Sequence, residues 1–214
     1  QQAAMWQAML KASGIDTPSK QIVIHGFITS GGEKISKSLG NAVDPVAIVK
    51  EYGTDALRYY LARHIHPFED SDFTADSLKK AYNSDLANGL GNLVSRVMRM
   101  AEQNHVAYDS KLITSEDKHK KDFDKAMEEF NIQQAMNVIW SMISELDLRI
   151  QKDQPFKLVK TDPKKGKQII GELLLGLADI TSILLPIMPD TAKEMERLIK
   201  ENKMPEKPLF PRKE

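Results

Sequence analysis

The sequence predicts a mainly α-helical protein in which the closing unit of an α/β sheet leads into a helical bundle. Two patterns carry this expectation. A helix-like opening run stops at Gly14 and is followed by the β-branched segment QIVIHGF, 21–27; from Asp76 onward, amphipathic stretches at about 76–106, 115–130, 132–153, 166–186 and 190–202 alternate with short polar connections. Composition sets outer limits. The 214 residues are 41% hydrophobic, enough for a core. Thirty basic and thirty acidic residues cancel, so contact with nucleic acid would need local patches instead of an overall field. No cysteine is present, which excludes a disulfide framework or thiolate ligands within these residues and is compatible with a reducing compartment; the expected location is cytoplasmic. The longest apolar run, IIGELLLGLADITSILLPIM, is broken by Glu172 and Asp179, so no membrane span is expected.

Each element has a local reason. Residues 3–13 read as a helix, with Met5, Trp6, Met9 and Leu10 recurring at helical spacing and Gly14 as its stop. The strand QIVIHGF is followed after Ile28, Thr29 and Ser30 by GGEKISKSLGN, 31–41, where Gly31, Gly32 and Gly40 allow a mobile loop. Lys34 and Lys37, with the Ser36 and Ser38 hydroxyls between and after them, place positive charge and donors where a polyphosphate could be gripped. The alternative is a solvated turn. Asp44-Pro45 is an N-cap followed by a first-turn proline, starting a helix that runs to Tyr52 and stops at Gly53. Thr54-Asp55 starts a second helix, DALRYYLARH, which Pro67 ends; Asp55 and Arg58, one turn apart, are expected to pair locally. DSDF, 70–73, reads as extended.

Within the bundle, Leu86, Leu90, Leu93, Val94, Val97 and Ala101 share one face. Asn92 and Arg96 lie roughly 120° away from that stripe, stacked one turn apart and facing outward. Trp140 sits at a core-like position and His25 reads as structural. The five histidines lack ligand spacing, so no metal site is expected. Phe156, after Pro155, reads equally as a core aromatic or as an exposed face. Arg149, Lys152, Lys157, Lys160, Lys164, Lys165 and Lys167 surround it against Asp153 and Asp162, an excess suited to phosphates or to a solvated helix end. The proline-rich tail PEKPLFPRKE, 205–214, is expected to lie extended across a surface.

The run K-I-S-K-S at 34–38 resembles the KMSKS signature of class I aminoacyl-tRNA synthetases, with Ile35 in the place usually held by methionine. The wider blocks VIHGFITSGGEKISKSLGNAVDP, YGTDALRYYLARHIHPFEDSDF, NSDLANGLGNLVSRV and PLFPR, in this order, are similar to the methionyl-tRNA synthetases. The resemblance implies the C-terminal part of the core enzyme. Its divisions would be 1–30 as the end of the Rossmann catalytic domain, 31–75 as the connecting region with the signature loop and stem contact, and 76–214 as an α-helical anticodon-binding domain with a C-terminal extension. It implies ATP-dependent activation of methionine and transfer to tRNA(Met), with Mg2+ accompanying ATP in the complete enzyme. Lys34, Ile35, Ser36, Lys37 and Ser38 would form the ATP loop, with Lys37 stabilising the departing pyrophosphate and Lys34 assisting. Asn92 and Arg96 match the family's anticodon-reading pair, and Phe156 stands where a stacking tryptophan is common. Gln2 occupies the place of a histidine often found in the methionine pocket. The other ATP signature, HIGH, appears nowhere in the chain, so the partners include a missing N-terminal catalytic half, and the chain alone is expected to be inactive. Two alternatives stand beside this reading: a stand-alone tRNA-binding module without chemistry, and a fragment of a class I synthetase for cysteine, leucine, isoleucine or valine.

Overall fold

The computed structural model describes residues 2–17, 19–35, 43–109 and 118–214. Helix α1 (Gln2–Ala12) opens it and closes as expected. Gly14 adopts φ 83°, and the Ile15 amide returns to the Leu10 carbonyl at 3.0 Å.

The expected strand at 21–27 is a correction. Pairing begins at Ile28, and residues 21–27 carry no regular structure. Ile22, Val23, Ile24 and Phe27 are exposed. A β-branched run becomes a strand only when its backbone finds a ladder partner, and no described strand pairs with 21–27. What forms instead is a three-stranded sheet of order β2 (Glu33–Lys34), β1 (Ile28–Ser30), β3 (Ser71–Asp72), with β1 antiparallel to β2 and parallel to β3. Gly26 enables the approach of β3's leading segment. A Cβ there would stand 2.0 Å from the Glu69 carbonyl oxygen.

Helices α2 (Pro45–Tyr52) and α3 (Thr54–His64) follow with the expected boundaries. The Asp44 carboxylate accepts from the Val46 amide at 2.9 Å, and Gly53 ends α2 at φ 90°. The local Asp55–Arg58 pair is not formed, because both side chains reach across to the far end of the chain. Buried Asp55 accepts from the Thr191 amide at 2.7 Å, while Arg58 donates to the carbonyls of Ile187 at 2.6 Å and Pro186 at 2.9 Å.

The first bundle element is one long rod in three parts. It comprises α4 (Ala75–Ala81), a π-helical stretch Tyr82–Gly91 and α5 (Asn92–Asn104). The expected stripe of Leu86, Leu90, Leu93, Val94, Val97 and Ala101 is wholly buried, facing α7 (Ile132–Asp153) and α9 (Pro163–Leu184). Helix α6 (Lys118–Glu128) packs on α7 and α10 (Pro189–Glu201) on α9. Between α7 and α9 the connection contains a further helix, α8 (Pro155–Thr161), pressed so tightly on α9 that a Cβ at Gly166 would meet Val159 backbone at 2.7 Å. The tail has no regular structure, but it is anchored. Phe210 is buried against Tyr82, and Asn83 exchanges two hydrogen bonds with the Lys213 backbone at 2.8 and 2.9 Å.

Helix α10 begins without a side-chain cap of its own, so the Asp55 contact satisfies one of its orphan amides from outside. Asp55→Ala is expected to cost about 1–2 kcal/mol. The measurement is the urea midpoint at constant slope; an unchanged midpoint would show that the turn before α10 holds itself.

Candidate functional site

Two regions hold the residues singled out by the sequence. The first is the root of the lysine loop. Gly31 and Gly32, at φ 65° and 79°, make the two-residue turn from β1 to β2. The Asp72 carboxylate, across on β3, accepts from the Gly32 amide at 2.9 Å and from the Thr29 hydroxyl at 2.8 Å. These two bonds hold the Asp72 carboxyl below its usual range. Lys34 is exposed on β2, with its ammonium 5.8 Å from the centre of the Phe27 ring. Ile35 is half-buried. Ser36, Lys37 and Ser38 lie outside the described residues. Nearby, Trp6 and residues 22–25 with Phe27 line a cavity of about 650 Å³, with Trp6 more than half exposed. His25 contacts the Gly26 carbonyl at 2.9 Å.

The second region is the outer surface of the bundle. Asn92 opens α5 and is exposed. Arg96, one turn on, donates through one nitrogen to Asp147 on α7 at 2.7 Å, yet 34% of its side chain still reaches solvent. Burial pushes the Asp147 carboxyl up, and Arg96 opposes that. Phe156 near the start of α8 is 44% exposed, which decides between the core and surface alternatives in favour of the surface. The Lys157 ammonium sits 5.9 Å from its ring centre. Helix α8 packs on α9 and α9 on α5, so the elements carrying the three residues form one packed block. Lys152, Lys157, Lys160, Lys164, Lys165 and Lys167 are exposed around it. Arg149 is the exception in that cationic group, since it is engaged by Asp153 and Glu172.

Sequence reasoning missed a polar cluster between α3, the π-helical stretch and α7. Tyr59 and Ser84 donate to the Asp85 carboxylate, which also faces Arg63 at 3.4 Å. Tyr59 has one proton and gives it to Asp85, so His64 Nε2, 3.0 Å from the Tyr59 oxygen and 3.4 Å from Asp85 Oδ2, is the donor toward both. Arg63 stacks on Trp140 at 4.5 Å, and the Tyr59 ring lies 4.7 Å from Trp140. Burial alone would raise the Asp85 carboxyl, but the bonds from His64, Tyr59 and Ser84 and the Arg63 charge outweigh it and hold the group well below the carboxylate range. Burial, reinforced by Asp85, pushes the Tyr59 hydroxyl far up. The available signal was the spacing of Tyr59, Arg63 and His64 on one helix, with no indication of which acid they face. Among the described residues no group of three or more histidines or carboxylates is placed to hold a metal, and no helix is long and apolar enough to cross a membrane.

Comparison with known proteins gives a consistent result. Residues 2–98 match the family model for class I tRNA synthetases (M). The methionine–tRNA ligase of Fusobacterium nucleatum is 37% identical over 90% of this chain, which covers 32% of that enzyme. For the corresponding ligase of Thermotoga maritima the values are 33%, 95% and 34%. The chain therefore spans about a third of the length of these curated relatives. The Mycobacterium tuberculosis methionyl-tRNA synthetase bound by methionyl-adenylate superposes with a TM-score of 0.80 at 25% identity, over 97% of this chain and 47% of that one.

The Asp85 cluster has a pH signature. A carboxylate whose folded pKa is depressed contributes stability above the unfolded value, about 3.9, and loses it as the pH falls through the folded value. Asp85→Asn is expected to cost about 1–3 kcal/mol at pH 7, with the gap to wild type narrowing below about pH 4. Urea midpoints across pH 7 to 2.5 measure this, and a constant gap would remove the charge from the account.

Proposed function

Because this chain belongs to the class I methionyl-tRNA synthetase family, we propose that it serves as the carboxyl-terminal part of a methionine–tRNA ligase, supplying the ATP-phosphate loop and the anticodon-reading surface. In this reading residues 1–30 end the Rossmann catalytic domain, 31–75 connect, and 76–214 read the anticodon. The reaction is activation of methionine by ATP with Mg2+ and transfer to tRNA(Met); the first-strand ATP signature is not among these residues and belongs to the portion of such an enzyme outside the third that they span. Lys37, with Lys34, meets the negative charge that develops on the departing pyrophosphate. Ile35 keeps an apolar anchor between them, and Ser36 and Ser38 add donors. Such a loop needs to position charge and do little else, which is what phosphoryl and nucleotidyl chemistry asks of a protein.

The observation that carries the RNA side of the proposal is the exposure of Asn92 and Phe156, with Arg96 partly exposed, on packed helices in a chain where most other large apolar bundle residues are buried. An anticodon presents unstacked bases whose edges accept hydrogen bonds and whose faces stack on aromatics. Phe156 keeps the stacking face of a tryptophan without its N–H donor, a contact worth roughly 1–3 kcal/mol per base. The surrounding lysines add a salt-dependent contribution.

Two experiments test this. The chain is expected to bind a CAU-anticodon stem-loop about tenfold or more above a stem-loop with a changed anticodon, and Arg96→Ala to remove most of that preference; uniform weakening across all stem-loops would make Arg96 a phosphate contact. With the chain joined to the amino-terminal part of such an enzyme, Lys37→Ala is expected to slow ATP–pyrophosphate exchange by roughly a hundredfold or more while methionine binding is kept. Unchanged exchange would end the phosphate-loop reading.

A further inference from the structure

The small sheet beneath the lysine loop aligns three polar residues in one row. Thr29 on β1 is the register partner of Lys34 on β2 and of Asp72 on β3, so the order across the sheet is lysine, threonine, aspartate. Directly opposed residues project to the same face, one strand spacing of about 4.8 Å apart. Thr29 donates its hydroxyl proton to Asp72 Oδ1 at 2.8 Å, and the same oxygen takes the Gly32 amide at 2.9 Å.

Both glycines of the turn occupy the left-handed region, and among the described residues no atom beyond their chain neighbours lies within 4 Å of where a Cβ would stand on either. The parallel pairing of β1 with β3 is two residues long, secured by backbone bonds from Ser71 to Phe27 and from Phe73 to Thr29, each 2.9 Å. Two carboxylates bracket that short ladder, Asp70 accepting from the Phe27 amide at 2.8 Å and Asp72 clasping its other end. A slip of one residue in so short a ladder would put Asp72 on the face opposite Thr29 and Lys34. Asp72 is also a costly residue to place here. An exposed carboxylate about two strands from a loop read as gripping polyphosphate repels such a ligand, so its presence calls for a structural return.

We propose that Asp72, acting through the Thr29 hydroxyl and the Gly32 amide, is a positioning residue that fixes the β1–β2 turn, and with it the place from which Lys34 meets the phosphates of a bound nucleotide. This inference rests on the phosphate-loop reading of residues 34–38. Its specific content is that the acceptor oxygen of Asp72 matters, more than its charge.

The test has two levels. In the chain itself, Asp72→Ala is expected to speed hydrogen exchange of the Gly32 amide about fivefold or more, the loss of one hydrogen bond, with amides of α5 and α9 unchanged. Asp72→Asn, which keeps an acceptor oxygen, is expected to restore most of the protection. With the chain joined to the amino-terminal part of such an enzyme, Asp72→Ala is expected to raise the KM for ATP about tenfold while the KM for methionine and the affinity for RNA stay put, and Asp72→Asn to recover to within about threefold. Unchanged Gly32 exchange, or parallel losses for ATP, methionine and RNA, would overturn the proposal. Lys37→Ala separates the two layers: if it abolishes pyrophosphate exchange and Asp72→Ala changes nothing, the positioning role alone falls; if Lys37→Ala is also silent, the phosphate-loop reading falls with it.

Discussion

Helix α3 joins the loop-bearing third of the chain to the bundle by laying opposite charges on two ends of backbone. Asp55 Oδ2 accepts from the Thr191 amide at the start of α10, and Arg58, one turn on, donates to the carbonyls of Pro186 and Ile187 just before it. Free amides at a helix start and free carbonyls in the preceding turn are groups that must find partners. One helix face supplies both, across more than 120 residues of sequence. The contact is demanding, because Asp55 is buried and its Oδ1 has no hydrogen-bond partner among the described residues. A buried carboxylate with one satisfied oxygen persists only where the surrounding packing over-determines it.

The adjacent face of α3 does comparable work with neighbouring residues. Tyr59, Arg63 and His64 converge on Asp85 of the π-helical stretch and on Trp140 of α7. That stretch is then held from its other side by the tail, through Phe210 on Tyr82, Asn83 on the Lys213 backbone and the Lys213 ammonium between the Tyr52 and Tyr82 rings. The i→i+5 bonding of a π-helix changes the azimuth of everything downstream. Asn92 is the first residue after it, so the direction in which the polar pair faces is set by contacts from α3 and from the last residues of the chain.

These dependencies explain what could be read from the sequence. Caps and stripes are local, and they were legible: Asp44 with Pro45, Gly14, Gly53, and the leucine and valine face of α5 all stand as their chemistry requires. The outward placement of Asn92 followed from the same angular argument, whereas Phe156 was left open between core and surface because a single phenylalanine has no period. Long-range partners were not legible. Asp55 and Arg58 are ideally spaced for each other, and nothing local says that α10's uncapped start and the preceding carbonyls compete for them and win. The strand at 21–27 failed for a related reason: strand character is a property of the neighbours as much as of Ile22, Val23 and Ile24. Helix α8 was missed because seven residues give two turns, too few for a period to show, and the π-helical stretch because its side-chain pattern differs little from an α-helix over so short a run.

Under the anticodon-reading proposal, the ion pair of Arg96 shows how such an arginine can be built into a helical bundle. An unpaired arginine on a partly buried face would be poorly ordered and would lose side-chain entropy on binding. Pairing it to Asp147, a third exposed on the arginine side and with a carboxyl that burial already pushes up, fixes its direction at little energetic depth. Half-exposed pairs contribute on the order of 0–1 kcal/mol, whereas a well-made bidentate contact to a base edge is worth about 1–3 kcal/mol. In the proposed reading the exchange is favourable: Asp147 holds the guanidinium in a bound-like orientation, and a base with two acceptors can take it. A base without them cannot repay even the weak pair, so a carboxylate that adds little to stability contributes to discrimination.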